Sequence, residues 1–82
     1  MNLLDSTPEL ELELFYKKIS GNIKKKRIEN GLNQLEVALE IGIGSVAFYS
    51  NCENLKYNKH FNLAHIYKLA KLFNIEPYEL LK

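Results

Sequence analysis

The residues that could do chemistry in this 82-residue chain are few, and their spacing does not suit catalysis. His60 and His65 are five positions apart, with no Cys or carboxylate at metal-ligand spacing, so no metal site is predicted. The single cysteine, Cys52, has no base beside it in the sequence and is expected to be a buried structural thiol. The sequence has no glycine-rich phosphate loop after a strand and no evident pair of catalytic carboxylates. We therefore predict that the chain is not an enzyme and uses no cofactor.

The charges are distributed unevenly along the chain. Residues 1–14 carry four acidic residues and no Lys or Arg, whereas residues 15–82 carry all 11 Lys and Arg against six acidic residues. A basic body favours a polyanionic partner, and the acidic segment before it is expected to have a separate role.

Length and composition place the chain among small globular domains. With 46% hydrophobic and 26% charged residues, 82 residues provide one core. The apolar runs are too short for a membrane span, and the first residues do not have the pattern of a signal peptide. A single cysteine cannot form an internal disulfide, so an oxidising compartment is not required and we expect a cytoplasmic protein.

Capping residues and apolar spacing divide the chain into four or five short helices. Thr7-Pro8-Glu9 predicts the start of the first helix. The alternating Leu and Glu residues that follow also fit a strand period, but the cap and the helix-forming residues favour a helix. A break near Ser20-Gly21-Asn22 stays open because glycine weakens a helix. Further helices are predicted over about 34–41 and 45–53, from a cap at Asn62, and from Pro77 to residue 81.

Residues 34–53 have the pattern of two short helices joined by a tight turn. Ala38 is small where the second helix has to cross closely, and Gly42 provides the positive φ of the turn. Ile43 is expected to anchor the turn in the core, and Ser45 can cap the second helix. These features together predict a helix-turn-helix.

With its neighbours, this segment resembles the phage-repressor-like (Xre/Cro-type) helix-turn-helix DNA-binding domains over about residues 19–81. The family pattern fits if the turn has one extra residue, which places the turn serine at Ser45 and the recognition-helix glutamate at Glu53. The other matching positions are Ile23, Arg27, Gly31-Leu32, Gln34, Val37-Ala38, Gly42-Ile43, Leu63, Ile66, Leu69-Ala70, Phe73 and Ile75. The resemblance implies an all-α, five-helix domain with an N-terminal extension, and an ion pair between Arg27 and Glu53 that locks the first helix to the recognition helix.

The resemblance also implies that a recognition helix over about residues 45–53 enters the major groove of DNA. This helix carries no Arg or Lys for a guanine contact, so base readout is expected to lean toward A·T, with phosphate contacts dominating affinity. The DNA-binding residues predicted on this basis are Gln34, Ser45, Val46, Ala47, Tyr49, Ser50, Asn51, Lys56 and Lys59.

The sequence is therefore interpreted as a sequence-specific or AT-leaning transcriptional regulator that binds double-stranded DNA. We predict an acidic, leucine-rich arm over residues 1–16 and a DNA-binding domain over residues 17–82. A homodimer is expected, because one small module buries too little surface for tight specific binding, and residues 3–16 are candidates for the dimer contact. The alternative is a protein-interaction module of the same fold, antitoxin-like or anti-repressor-like, in which the apolar start of the third helix and the acidic arm bind protein.

Overall fold

The computed structural model describes residues 7–82, which form four α-helices and two short 3₁₀ turns. The helices are α1 (Pro8–Glu29), α2 (Gln34–Glu40), α3 (Val46–Asn54) and α4 (Leu63–Phe73), and the 3₁₀ turns are Lys56–Asn58 and Pro77–Leu80. No strand occurs in this part of the chain, so the predicted all-α class is confirmed. The predicted fifth helix is instead a four-residue turn with hydrogen bonds between residues three apart, as the bond from Leu81 N–H to the Tyr78 carbonyl shows.

Helix α1 is continuous over 22 residues, without a break at Gly21. Thr7 caps its start by accepting a hydrogen bond from the Leu10 N–H at 3.1 Å. On either side of Gly21 the helix is held by tertiary contacts, because Ile19 and Ile23 are buried in the core. The described part of the predicted arm and the first helix of the predicted domain are therefore one helix, while residues 1–6 of that arm lie outside the described residues.

Capping interactions set the limits of the helices that follow. In α2, the Asn33 side chain accepts from the Glu36 N–H at 2.8 Å, and the Glu36 carboxylate accepts from the Asn33 N–H at 3.0 Å. Ser45 caps α3 through a 3.2 Å bond from the Phe48 N–H, at the position that one extra turn residue predicts. Gly42 has a φ of 77° in the turn between α2 and α3, a conformation that glycine adopts without strain.

The core lies where α1, α3 and α4 pack together, with the turn at Pro77–Leu80 closing one end. Its most deeply buried side chains come from all of these elements and from α2: Ile23, Val37, Tyr49, Cys52, Leu69 and Leu80. Cys52 is a buried free thiol whose pKa is raised by burial, which suits the structural role expected for it. Among the described residues, no helix is both long enough and apolar enough to cross a membrane.

Candidate nucleic-acid interface

Arg27 of α1 holds the end of α3 through a bidentate ion pair with Glu53. The Arg27 Nε donates to Glu53 Oε2 at 3.0 Å, and Nη2 donates to Oε1 at 2.9 Å. The Glu53 side chain is fully buried and that of Arg27 is 12% exposed, so the pair is shielded from water. Two parallel charge-assisted bonds fix angle as well as distance, and α3 is therefore held at one orientation to α1.

Two further side chains donate to the same carboxylate. The Tyr49 hydroxyl donates to Glu53 Oε2 at 2.8 Å, and Gln34 Nε2 donates to Oε1 at 3.2 Å. Arg27 also donates from Nη1 to the Leu32 carbonyl at 3.0 Å. The carboxylate thus joins the end of α1, the start of α2 and two turns of α3.

The hydrogen bonds decide the ionisation of this buried carboxylate. Burial alone would raise the pKa of Glu53, but the bonds from Arg27, Tyr49 and Gln34 outweigh burial and hold its pKa below the ordinary value. The pKa of Tyr49 is raised by burial and by its bond to Glu53, so its hydroxyl stays protonated and keeps donating. The pKa of Arg27 is raised, chiefly by its bond to Glu53.

With one face of α3 held in this way, the opposite face is presented to solvent. Tyr49, Cys52 and Glu53 make up the buried side of the helix. The other side carries Ala47, Ser50, Asn51 and Asn54, which are exposed or half-buried, and Ser45 and Val46 are exposed at the start of the helix. Among the described residues, no hydrogen bond uses the Asn51 side chain, so its amide is available to a ligand.

Tyr49 does not belong to this outward face, and its predicted place among the DNA contacts is corrected here. Its side chain is fully buried, packs against Phe61 with ring centroids 5.3 Å apart, and uses its hydroxyl for Glu53. The reason is helical geometry, because positions 49 and 53 are one turn apart and both face α1.

Asn54 is a residue of the outward face that the sequence did not single out. It is exposed, and its Nδ2 donates to the Ser50 carbonyl at 2.9 Å and to the Ser50 hydroxyl at 3.3 Å. The Ser50 hydroxyl, a predicted contact, is therefore already engaged by a neighbour. The three-residue spacing from Asn51 was the signal in the sequence that could have placed Asn54 on this face.

The segment that follows α3 presents two lysines. Lys56 and Lys59 are exposed, and the backbone between them is tightly wound, because Tyr57 and Asn58 both have φ values in the left-handed region. The segment is fixed to α1 by His60, whose ring stacks on that of Tyr16 with centroids 4.0 Å apart and planes inclined by 12°. The two ammonium groups therefore extend from a held loop next to α3.

Comparison with known proteins agrees with this arrangement. A family model described as Helix-turn-helix matches residues 23–80, which is well over half of the 82-residue chain. The chain therefore belongs to the helix-turn-helix family of the Xre/Cro type, whose members are DNA-binding transcriptional regulators. No curated protein and no solved structure matches the chain significantly.

Proposed function

We propose that this chain regulates transcription by inserting α3 into the major groove of double-stranded DNA as a homodimer, with a preference for A·T-rich sites. The observation that carries the proposal is the outward face of α3. It is uncharged, carries a half-buried amide at Asn51, and is held rigidly from behind by the ion pair between Arg27 and Glu53.

Base readout is assigned to the start and middle of α3. An asparagine amide matches the N6 and N7 edge of adenine, and small apolar side chains fit beside the thymine methyl group. Asn51 is the proposed adenine contact, and Val46 and Ala47 are the proposed methyl contacts, with Ser45 and Ser50 beside them. The absence of Arg and Lys from α3 removes the strongest contact to guanine, so the preference falls on A·T pairs.

Affinity is assigned mainly to phosphate contacts. Lys56 and Lys59 are exposed on the loop after α3, where they can neutralise the DNA backbone. Gln34 begins α2, and its amide donates to Glu53. Its proposed role is therefore to position α2 against α3 where the two helices meet the DNA backbone. A single module of this size buries little surface on DNA, which favours two copies on a two-fold site.

The test is fluorescence anisotropy of the full chain with AT-rich and mixed-sequence duplexes at about 50 and 200 mM salt. Binding should weaken steeply with salt and favour the AT-rich duplex. Asn51→Ala should reduce that preference by about 1–3 kcal/mol, the value of one good bidentate base contact. Lys56→Ala and Lys59→Ala should weaken binding to all duplexes alike and each lower the salt slope by about one.

Lys25→Ala is the matched control for the lysine variants, since Lys25 is also exposed but lies on α1. It should leave the salt slope near that of the unmodified chain. An AT preference that survives Asn51→Ala contradicts the assigned readout, and loss of DNA binding at low salt by a folded chain contradicts the function itself.

The second candidate function is a protein-interaction module of the same fold. Its specific support is the apolar start of α3, where Val46 is 42% exposed and Phe48 is 36% exposed. An apolar protein interface is far less sensitive to salt than a phosphate interface, so the same salt series separates the two functions.

A further inference from the structure

The first half of α1 exposes an unusual amount of apolar surface. Leu10, Leu12, Leu14 and Phe15 are each between 44% and 57% exposed, and the first buried side chain of the helix is Ile19. Scattered exposed leucines are ordinary, but Leu10 and Leu14 are one turn apart on the same side of the helix and form an apolar patch of the kind that marks an interaction surface. Leu12 and Phe15 lie on the other side of the helix.

A groove runs along one side of this patch, between α1 and the loop that follows α3. Leu10 and Leu14 are one helical turn apart and form its apolar wall together with Leu55 across the loop. Its volume is about 380 Å³, which is enough for a few side chains, and the stacked rings of Tyr16 and His60 also line it.

The charges around the groove indicate its occupant. Lys17, Lys59 and Glu13 line the groove beside its leucines. The two ammonium groups outnumber the carboxylate, so a ligand with leucines and acidic groups at helical spacing would match the groove. The first half of α1 itself is such a segment, because Glu9 and Glu13 alternate with Leu10 and Leu14 on one helix.

The same helix is self-complementary when two copies align in opposite directions. The acidic residues lie at the start of α1, and Lys17 and Lys18 lie two turns further along. Antiparallel alignment therefore places the acidic start of each helix opposite the basic segment of the other. A single two-fold axis relates the two charge pairings, so both form at once.

From these observations we infer that a second copy of this chain occupies the groove, with the first halves of the two α1 helices packed antiparallel. Leu10 and Leu14 of each copy are buried against the other, and Lys17 lies opposite the partner's acidic helix start. The inference deepens the proposed function and rests on it for the homodimer, to which it gives a surface, the groove between α1 and the loop after α3.

The test is the mass of the full chain, measured by sedimentation equilibrium without DNA over a wide range of protein concentration. The unmodified chain should approach twice the monomer mass. The double variant Leu10→Ser/Leu14→Ser should dimerise at least about 100-fold more weakly, because four half-exposed leucines per dimer lose their burial.

The matched control is Leu35→Ser/Leu39→Ser, an equally spaced pair of exposed leucines on α2. It removes the same apolar groups from another surface and should dimerise like the unmodified chain. Circular dichroism shows whether each variant keeps its helices. A chain that stays monomeric at every concentration overturns the inference, and so does equal weakening by the two double variants.

A charge test stands independently of the leucines. Lys17→Glu should weaken the dimer at low salt by placing a third acidic side chain opposite Glu9 and Glu13 of the partner, whereas Lys25→Glu, an identical change on the same helix, should not. Equal effects of the two variants contradict the antiparallel arrangement. Lys59 is left unchanged because it is also a proposed phosphate contact. A monomer that still binds DNA overturns the dimer and its surface but not DNA binding by α3, and a dimer that does not bind DNA overturns DNA binding but not the dimer surface.

Discussion

A single carboxylate, Glu53, connects three helices in this chain. It accepts four hydrogen bonds from Arg27, Tyr49 and Gln34, all between 2.8 and 3.2 Å. Burying this charge costs desolvation free energy, which the hydrogen bonds from its partners offset. If one partner is removed, the remaining bonds no longer offset that cost, and the fold is destabilised. The orientation of α3, and with it the proposed base-reading face, therefore depends on residues that never contact DNA in this proposal.

Removing the positive partner should show that dependence directly. Arg27→Met is expected to lower the free energy of unfolding by about 3–5 kcal/mol, because it leaves the Glu53 carboxylate buried and short of its two strongest donors. Lys26→Met is the matched control, since Lys26 forms a partly exposed ion pair with Glu29 at 3.4 Å and should lose less than about 1 kcal/mol. Urea unfolding of both variants measures the difference, and similar losses would contradict the role given to the buried pair.

His65 makes the stability of the chain depend on pH. Its Nδ1 accepts the Asn62 N–H at 3.1 Å in the capping box of α4, which only the neutral ring can do. Burial lowers the pKa of His65 below the ordinary value of 6.5, and Lys68 lowers it further. The neutral form is thus favoured by folding, so stability is complete above about pH 6.5 and falls as the pH drops toward the lower pKa of the folded chain.

Thermal unfolding between about pH 7.5 and 5 tests whether stability falls as the pH drops, since Glu53 titrates below that range. His65→Gln should flatten the pH dependence, because glutamine can accept the same capping bond without titrating. The control is His60→Gln, which replaces the other histidine of the chain and leaves the capping box of α4 intact. A slope that persists in His65→Gln but vanishes in His60→Gln would reverse the assignment.

At the scale of elements, the turn between α2 and α3 depends on one glycine and not on its neighbour. Gly42 has a φ of 77°, and a Cβ there would meet nothing closer than the Lys68 ammonium at 3.9 Å. Gly44 lies outside the left-handed region and has open space around it. A side chain at position 42 would therefore cause backbone strain but no steric clash. A side chain at position 44 would cause neither.

Gly42→Ala is accordingly expected to destabilise the chain by about 1–2 kcal/mol, the cost of a left-handed backbone for a residue with a Cβ. Gly44→Ala should change stability by less than about 1 kcal/mol and could raise it, because alanine loses less chain entropy on folding. The melting temperatures of the two variants, compared with that of the unmodified chain, test this difference. Equal effects would mean that the turn conformation does not depend on the positive φ.

The capping residues are the part of the elements that could be predicted from sequence. Thr7, Asn33, Ser45 and Asn62 each begin a helix where their types and spacing indicated. The continuity of α1 through Gly21 could not be predicted, because local propensity counts only the cost of the glycine. Tertiary burial of Ile19 and Ile23 on either side outweighs that cost.

The candidate site was predictable to the extent that it follows helical spacing. The ion pair of Arg27 with Glu53 was expected from the resemblance, and the structure places the two side chains in contact. The prediction for Tyr49 is wrong because its polar hydroxyl does not lie on the outward face of α3. Its separation of four from Glu53 places both side chains on the same face, where the hydroxyl donates to the buried carboxylate. The left-handed backbone at Leu55 and Tyr57 has no comparable signal, since neither residue type favours it.

At the scale of the whole molecule, the two proposed surfaces meet at the loop after α3. Both ends of that loop line the dimer groove, through Leu55 and through Lys59 and His60. The proposed phosphate contacts Lys56 and Lys59 extend from the same loop, so Lys59 belongs to both surfaces. A homodimer built around α1 therefore carries two recognition helices related by its two-fold axis. If it binds DNA as proposed, such a dimer would read two half-sites in opposite orientation, with centres separated by a whole number of DNA turns, about 34 Å each.

Selection of bound duplexes from a random pool tests this geometry for any target sequence. The unmodified chain should enrich A·T-rich inverted repeats whose half-site centres are about 10 bp, or a multiple of that, apart. The Leu10→Ser/Leu14→Ser chain should enrich the same half-site singly and with lower affinity, because its α3 is unchanged and only the pairing is lost. Leu35→Ser/Leu39→Ser should select inverted repeats like the unmodified chain. Single half-sites enriched by the unmodified chain would mean that α1 does not pair the recognition helices on DNA.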